Sequence, residues 1–394
     1  MHQNHNELLS APAPQRGDAD ILFSKPFHAP REMANLRRVV HSDHAHGDGG
    51  FTRSATQRIT NITGARAALL TTSGSHALEL ASRLLDLAPG DEVILPSFTF
   101  PSAANAIALT GATCVFVDVD MRFGNIDPQQ VAEAVTPRTK AISVVNYGGV
   151  AVDFDAIGAI AREHGLAIIE DNAHGLGGTY RGRQLGTFGI MAAQSFHDTK
   201  NVHCGEGGAI LLNDVSLLER AEIIREKGTN RSRYLRGQVD KYTWVDIGSS
   251  YLLSEYNASV LDSQLESFTH IQTQRHAVWN SYHTRLPAWA ASEDVRLMEV
   301  PTDRRHPAHL FFLQTPDHEY QVALLAHLKS LGVIGTFHYI PLDSAPAGLR
   351  HGRRLRELTV SRNFSERLVR LPLWADMSDA QVDRVIEAVS SFHR

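Results

Sequence analysis

Cysteine is scarce. Cys114 and Cys204 are the two in 394 residues, which excludes a disulfide framework or a zinc ribbon. Long apolar runs are also missing, so no segment approaches the roughly 18–20 residues a membrane-spanning helix needs. The first twenty residues, "MHQNHNELLSAPAPQRGDAD", lack the apolar core of a signal peptide, and the expected setting is a reducing cytoplasm. Excess positive charge is absent as well: 38 Lys and Arg against 43 Asp and Glu give −5. Without a global basic field, nucleic acid is not the expected partner. Lysine itself is rare, with six among the 38 basic residues. One of them, Lys200, stands in "QSFHDTKNVHCGEGGAILL" (194–212) between two apolar, strand-like runs.

The 43% hydrophobic content is ordinary for a globular protein, and the length favours a large domain and a smaller one. Residues 1–22, polar with Ala-Pro repeats, read as a loose tail. Beyond it, short β-branched runs alternate with helical patterns. "DEVILP" (91–96), "TCVFVDV" (113–119), "AISVVN" (141–146), "LAIIED" (166–171) and "AAQSFH" (192–197) read as buried strands. Helical segments lie near 75–87, 101–110, 127–135 and 153–164. This alternation predicts an α/β domain with a mainly parallel sheet over residues 23–265. A long helical stretch near 253–289 leads into the second unit, 266–394, of α+β type. There "HLFFLQ" and "VIGTFHYIPL" read as strands, and "YQVALLAHLKSLG" and 378–392 as helices.

In open α/β sheets ligands sit at the carboxyl ends of strands, and three such loops carry unusual residues. "TTSGSHALEL" (71–80) leads small hydroxyl residues and a glycine into a helix, whose free amides suit a phosphate; a serine N-cap also accounts for it. "LAIIEDNAHG" (166–175) ends a strand in Glu170 and Asp171, followed by His174; such a carboxylate can hold a proton on a cationic ring nitrogen or simply close a turn. Lys200, desolvated near a strand end, can form a Schiff base with an aldehyde, where the plain alternative is an exposed turn lysine. Ser195 adds a hydroxyl for the phosphate. Together these are the parts that pyridoxal 5'-phosphate needs. Their spacing, 97 residues from Gly74 to Asp171 and 29 more to Lys200, suits an aminotransferase-type large domain.

At this point the chain resembles the sugar-nucleotide aminotransferases of the DegT/DnrJ/EryC1/StrS family. The resemblance rests on "GDGGFT", "TTSGSHALEL", "PGDEVILPSFTFPSAANA", "FVDVD", "IIEDNAHG", "SFHDTKN", "GEGGAILLND" and "FHYIPL", in order along nearly the whole chain. It implies a type I (aspartate) aminotransferase-like fold, a homodimer with active sites at the interface, and pyridoxal phosphate cycling through pyridoxamine phosphate. Lys200 would carry the Schiff base and serve as general base and acid. Asp171 would pair with the pyridine nitrogen, His174 would contact the cofactor near its ring oxygen, and Phe100 would stack on the ring. Gly74, Ser75 and Ser195 would hold the phosphate. The stretches "RAEIIREKGTNRS" and "RGQVDKYTWVDIGSSYLLS" are similar to members that aminate C4 of a dTDP-4-keto-6-deoxyhexose with L-glutamate. Members aminating C3 or using UDP sugars are the nearby alternatives, and a non-catalytic cofactor-binding regulator the remote one.

Two positions depart from the family pattern. "GSSYLLSEY" (248–256) lacks the asparagine that some relatives place on a neighbouring subunit's phosphate, and Asp343 stands where many have histidine. On the substrate side, "EKGTNRSRYLRGQVDK" packs Lys227, Arg231 and Arg233 into a basic patch suited to a nucleotide-sugar diphosphate. His338 and Tyr339 would approach the sugar from the small domain. His41, His44 and His46 cluster in "HSDHAHGDGG", but their spacing matches no zinc signature, and no metal is expected. Cys204, near Lys200, has no specified base and reads as a packed small residue.

Overall fold

The computed structural model describes residues 20–394. Seven strands of the large domain build its main sheet: β1 (Ala67–Thr71), β2 (Glu92–Pro96), β3 (Thr113–Val117), β4 (Thr139–Val145), β5 (Ala167–Asp171), β6 (Met191–Ser195) and β7 (Gly208–Leu212). With β9 (Gly352–Arg354) they form one sheet in the order β1-β7-β6-β5-β4-β2-β3-β9. Only β7 runs against its neighbours in this sheet. The central strands are apolar without alternation because both faces are covered. Helices α1 (Gly74–Leu84), α2 (Pro101–Ala108), α3 (Pro128–Ala134) and α4 (Phe154–His164) supply that cover, each leaving the sheet from a strand's carboxyl end.

The long helical stretch is broken at Ser267 into α5 (Glu255–Glu266) and α6 (Phe268–Arg285), and Pro287 then opens a short helix. Beyond it, β8 (Phe311–Gln314) and β10 (Leu368–Leu371) pair antiparallel, with Arg296–Leu297 on the other edge. Helices α7 (His318–Ser330) and α8 (Asp379–Ser390) pack on this small sheet. The C-terminal region also lends β9 to the large sheet, beside β3, so its chain is shared between both layers.

Two expectations change. Of the presumed loose tail, residues 1–19 lie outside the described residues, but Ile21 is buried, and its amide and carbonyl bond to Gly332 and Ile334. An apolar side chain with a ready strand-like partner docks rather than staying free. The run "VIGTFHYIPL" is not a strand: Val333 and Thr336 make single bridges to Ile21 and Arg370, and the rest has no regular pairing. Its residues turn away after Thr336. Tyr147 bonds His338, Tyr339 bonds His174, and Pro341 has no amide to donate.

Candidate active site

Three strand ends meet at one edge of the sheet. At the end of β1, Ser73 caps α1, its Oγ accepting the His76 amide at 3.1 Å. The amides of Gly74 and Ser75, in the first turn, have no carbonyl one turn back. Close approach makes this corner possible. A Cβ on Gly208 would lie 2.3 Å from the Ser73 carbonyl carbon, and one on Gly74 would lie 2.9 Å from Ser195 Cβ. Both the N-cap and the anion-site readings of "TTSGS" therefore describe the same turn, with Ser195 pressed against it.

Successive strand residues point to opposite faces, and this separates the two carboxylates that end β5. Glu170 is fully buried on one side and accepts amides from Gly186, Phe188 and Gly189. Asp171 lines a cavity of about 860 Å3 on the other side. Burial raises the Asp171 carboxyl above its usual range, with the Ala173 amide and the Lys200 charge opposing.

Lys200 lies in the loop that joins β6 to β7. That loop is closed by Asp198 N–H to Gly205 O, Lys200 N–H to His197 O and Cys204 N–H to Phe196 O. Asn201 anchors it further, donating to Pro307 O at 2.7 Å, while its Oδ1 accepts from His309 Nδ1 at 2.8 Å. Burial lowers the Lys200 amine to about 8; Asp171 counteracts this and Arg370 adds to it. Near neutral pH an appreciable fraction is already the free amine, as a nucleophilic lysine requires. The Cys204 thiol, by contrast, is pushed up to about 12 by burial, which leaves it a packing residue.

Above these groups lies a stack of aromatic and imidazole rings. His174 stacks on His309 at 4.2 Å, and His338 on Tyr339 at 3.6 Å. The Gly148 amide donates to His174 Nδ1, which assigns that ring's proton to Nε2, 3.3 Å from the Tyr339 hydroxyl. Burial pushes His174, His309 and His338 well below their usual value, so the cavity presents neutral imidazoles. Phe100, 55% exposed, stands at the mouth 6.1 Å from the Tyr339 ring.

The cavity thus brings together Gly74, Ser75, Phe100, Asp171, His174, Ser195, Lys200, His338 and Tyr339. It does not include Lys227, Arg231 or Arg233. Lys227 pairs with Glu226 at 3.0 Å, and Arg233, on the short helix Arg231–Leu235, pairs with Glu219 at 3.1 Å. Nearby acids neutralise much of the basic patch within one chain. Asp343 is also turned to structural use: it accepts from Ser97 Oγ at 2.5 Å and pairs with Arg354. Sequence reasoning missed Arg275, His309 and Arg370, all lining the cavity. For Arg370 the signal was a charge inside the apolar run "LVRLPL".

The donor set fits pyridoxal phosphate. The turn of small residues is open where a Cβ would close it, a buried carboxylate can meet a protonated ring nitrogen, and the lysine amine titrates near 8. Fold and site define a pyridoxal-phosphate-dependent aminotransferase. The chain belongs to the DegT/DnrJ/EryC1/StrS aminotransferase family, whose model matches residues 27–390. Among solved structures it is similar to the aminotransferase TlmJ from Streptoalloteichus hindustanus, at 30% identity and a TM-score of 0.86, over 94% of this chain and 98% of that one. DesV of S. venezuelae matches at 31% identity and a TM-score of 0.84, covering 92% and 95%. The putative sugar aminotransferase Spr1654 from Streptococcus pneumoniae, 24% identical with a TM-score of 0.87 over 94% and 98%, shares the fold.

Proposed function

We propose that this enzyme aminates C4 of a dTDP-4-keto-6-deoxyhexose, dTDP-4-keto-6-deoxyglucose in the first instance. L-glutamate is the donor and 2-oxoglutarate the second product. The observation that carries the amino-transfer reading is Lys200, with its amine lowered to about 8 in a cavity that also holds Asp171 and the Gly74–Ser195 corner. The choice of sugar is supported by the stretches at 220–232 and 236–254, similar to C4-aminating members.

Bound pyridoxal phosphate supplies an aldehyde for the amine and an electron sink for the donor's Cα. Gly74, Ser75 and Ser195 would hold its phosphate through amides and a hydroxyl. Asp171 would keep the ring nitrogen protonated, Phe100 would cover a ring face, and the neutral His174 would meet the ring oxygen. Lys200 Nζ, free once the donor's amine has taken its place, would take up the proton from the donor's Cα as general base and give it back as general acid. Arginine cannot do this, because it stays protonated. With the keto sugar the same nitrogen would move the proton in the opposite direction. His338 and Tyr339 border the space left for the sugar.

A homodimer is part of this reading. Tyr234, Leu235, Tyr242, Trp244, Val245 and Ile247 are all exposed, Trp244 to 72%. They lie on the segment that also carries Arg231 and Arg233. An apolar patch of this kind marks an interaction surface, and a second copy would bring the basic segment to the partner's cavity, where it could meet the diphosphate.

The test is incubation with dTDP-4-keto-6-deoxyglucose, pyridoxal phosphate and L-glutamate, followed by NMR of the sugar product. An amine at C4 supports the proposal, and an amine at C3 or unchanged ketone contradicts it.

A further inference from the structure

His174 and His309 stack with ring centroids 4.2 Å apart, yet their hydrogen bonds assign them opposite tautomers. His174 takes the Gly148 amide on Nδ1, so its Nε2 carries the proton. His309 is held the other way by Asn201, a buried side chain. Asn201 Nδ2 lies 2.7 Å from the Pro307 carbonyl oxygen and 3.4 Å from Gln272 Oε1. Gln272 in turn donates its Nε2 to Leu176 O at 3.2 Å. Both neighbours of Asn201 Nδ2 are acceptors, so the amide stands one way round, with Oδ1 toward His309 Nδ1 at 2.8 Å. That oxygen has no proton to give, and the proton between them belongs to His309 Nδ1. A neutral imidazole has one N–H, which leaves His309 Nε2 a bare acceptor. Burial, with His174, Lys200, Arg275 and His338 facing it, keeps the ring neutral. Arg275 also pins the backbone here, donating to Ala308 O and His309 O at 3.0 and 2.6 Å.

Nε2 makes no hydrogen bond among the described residues, although the ring lines the cavity. Its place is at the lysine end. Lys200, Asn201, His174 and His309 border one void of about 10 Å3, and Asn201 follows Lys200 directly in the chain. A buried acceptor without a donor is costly, so a ligand hydrogen is the natural partner. Glutamate does not supply it, because its carboxylates accept and its amino group goes to the cofactor. A 4-keto sugar does, since C3, next to the reacting carbon, bears a hydroxyl.

We propose that His309 Nε2 is the acceptor for that C3 hydroxyl, and that Asn201 is the positioning residue that keeps it an acceptor. The assignment rests on the C4-amination reading above, and it makes the enzyme selective for a ketone flanked by a hydroxyl. A sugar lacking that hydroxyl would leave the imidazole nitrogen unpaired in a closed site, which is how a hydrogen-bonding pocket rejects a deoxygenated analogue.

The experiment compares dTDP-4-keto-6-deoxyglucose with its 3-deoxy analogue in the pyridoxamine-phosphate-loaded, full-length protein and reads the ratio of their second-order rate constants. Lost cofactor or misfolded protein lowers both constants alike and leaves the ratio unmoved. In wild type the hydroxylated sugar should be favoured by about 30-fold. In His309→Phe the ratio should fall to about twofold or less, and in Asn201→Ala to below about tenfold, because nothing then holds the proton on Nδ1. Nitrogen NMR of the histidine-labelled wild-type protein, which removes any question of folding, should show the His309 proton on Nδ1. A wild-type ratio near one, a ratio that survives either substitution, or a His309 proton on Nε2 would overturn the assignment. If neither ketone is aminated while L-glutamate still converts the cofactor, the sugar reading fails and takes the hydroxyl contact with it. If both are aminated at C4 at equal rates, the contact fails alone.

Discussion

A methyl group on Gly74 would lie 2.9 Å from Cβ of Ser195. The first turn of α1 and the end of β6 are thus in contact at the one place where the phosphate is proposed to sit. Gly74→Ala must push that corner open, and overpacking of this kind costs about 1–3 kcal/mol. The expected result is a cofactor dissociation constant raised by roughly tenfold or more, read by absorbance titration, with Lys200 and Asp171 untouched.

The lowered Lys200 amine sets a pH dependence for cofactor capture. Capture needs the neutral amine, so the rate should climb with pH and level off above about 8; an unperturbed lysine would keep climbing toward 10.5. Arg370 lowers this value and Asp171 raises it. Arg370→Gln should therefore move the midpoint to higher pH, and Asp171→Asn to lower pH. Stopped-flow absorbance of the apoenzyme against pH checks both directions.

Much of this arrangement was legible in the sequence, for local reasons. Continuous apolar runs mark doubly covered strands, and small residues before α1, a carboxylate closing β5 and a lysine after β6 each belong to one short stretch. What was not legible depends on contacts between distant stretches. "VIGTFHYIPL" has the composition of a strand, but its side chains bond across the cavity to Tyr147 and His174, and it leaves the small sheet after Thr336. Ile21 looked like part of a loose tail because its partners, Gly332 and Ile334, are more than 300 residues away. Arg233 looked like part of a free patch until Glu219, fourteen residues earlier, proved to be its partner.

Glu170, adjacent in sequence to Asp171, should behave quite differently on mutation. It accepts three backbone amides, and Glu170→Ala leaves those donors without a partner. A loss of about 3 kcal/mol or more is expected, seen as an earlier urea midpoint. Asp171→Asn should leave the urea midpoint nearly unchanged while abolishing turnover.

Asp343 offers a related contrast. Its bonds to Ser97 and Arg354 predict that Asp343→Ala costs about 2 kcal/mol of stability. KM for the keto sugar should stay within about twofold. A large rise in KM at unchanged stability would instead place Asp343 against the substrate.

The central claim is that one amine, Lys200 Nζ, carries the chemistry. Borohydride reduction of the pyridoxal-phosphate-loaded protein, followed by peptide mass spectrometry, asks this directly. A single phosphopyridoxyl group on the peptide containing Lys200, absent in an otherwise folded and turnover-dead Lys200→Ala, is the result predicted. A label on any other lysine, or a Lys200→Ala variant that still transfers nitrogen from glutamate to the sugar, would contradict it.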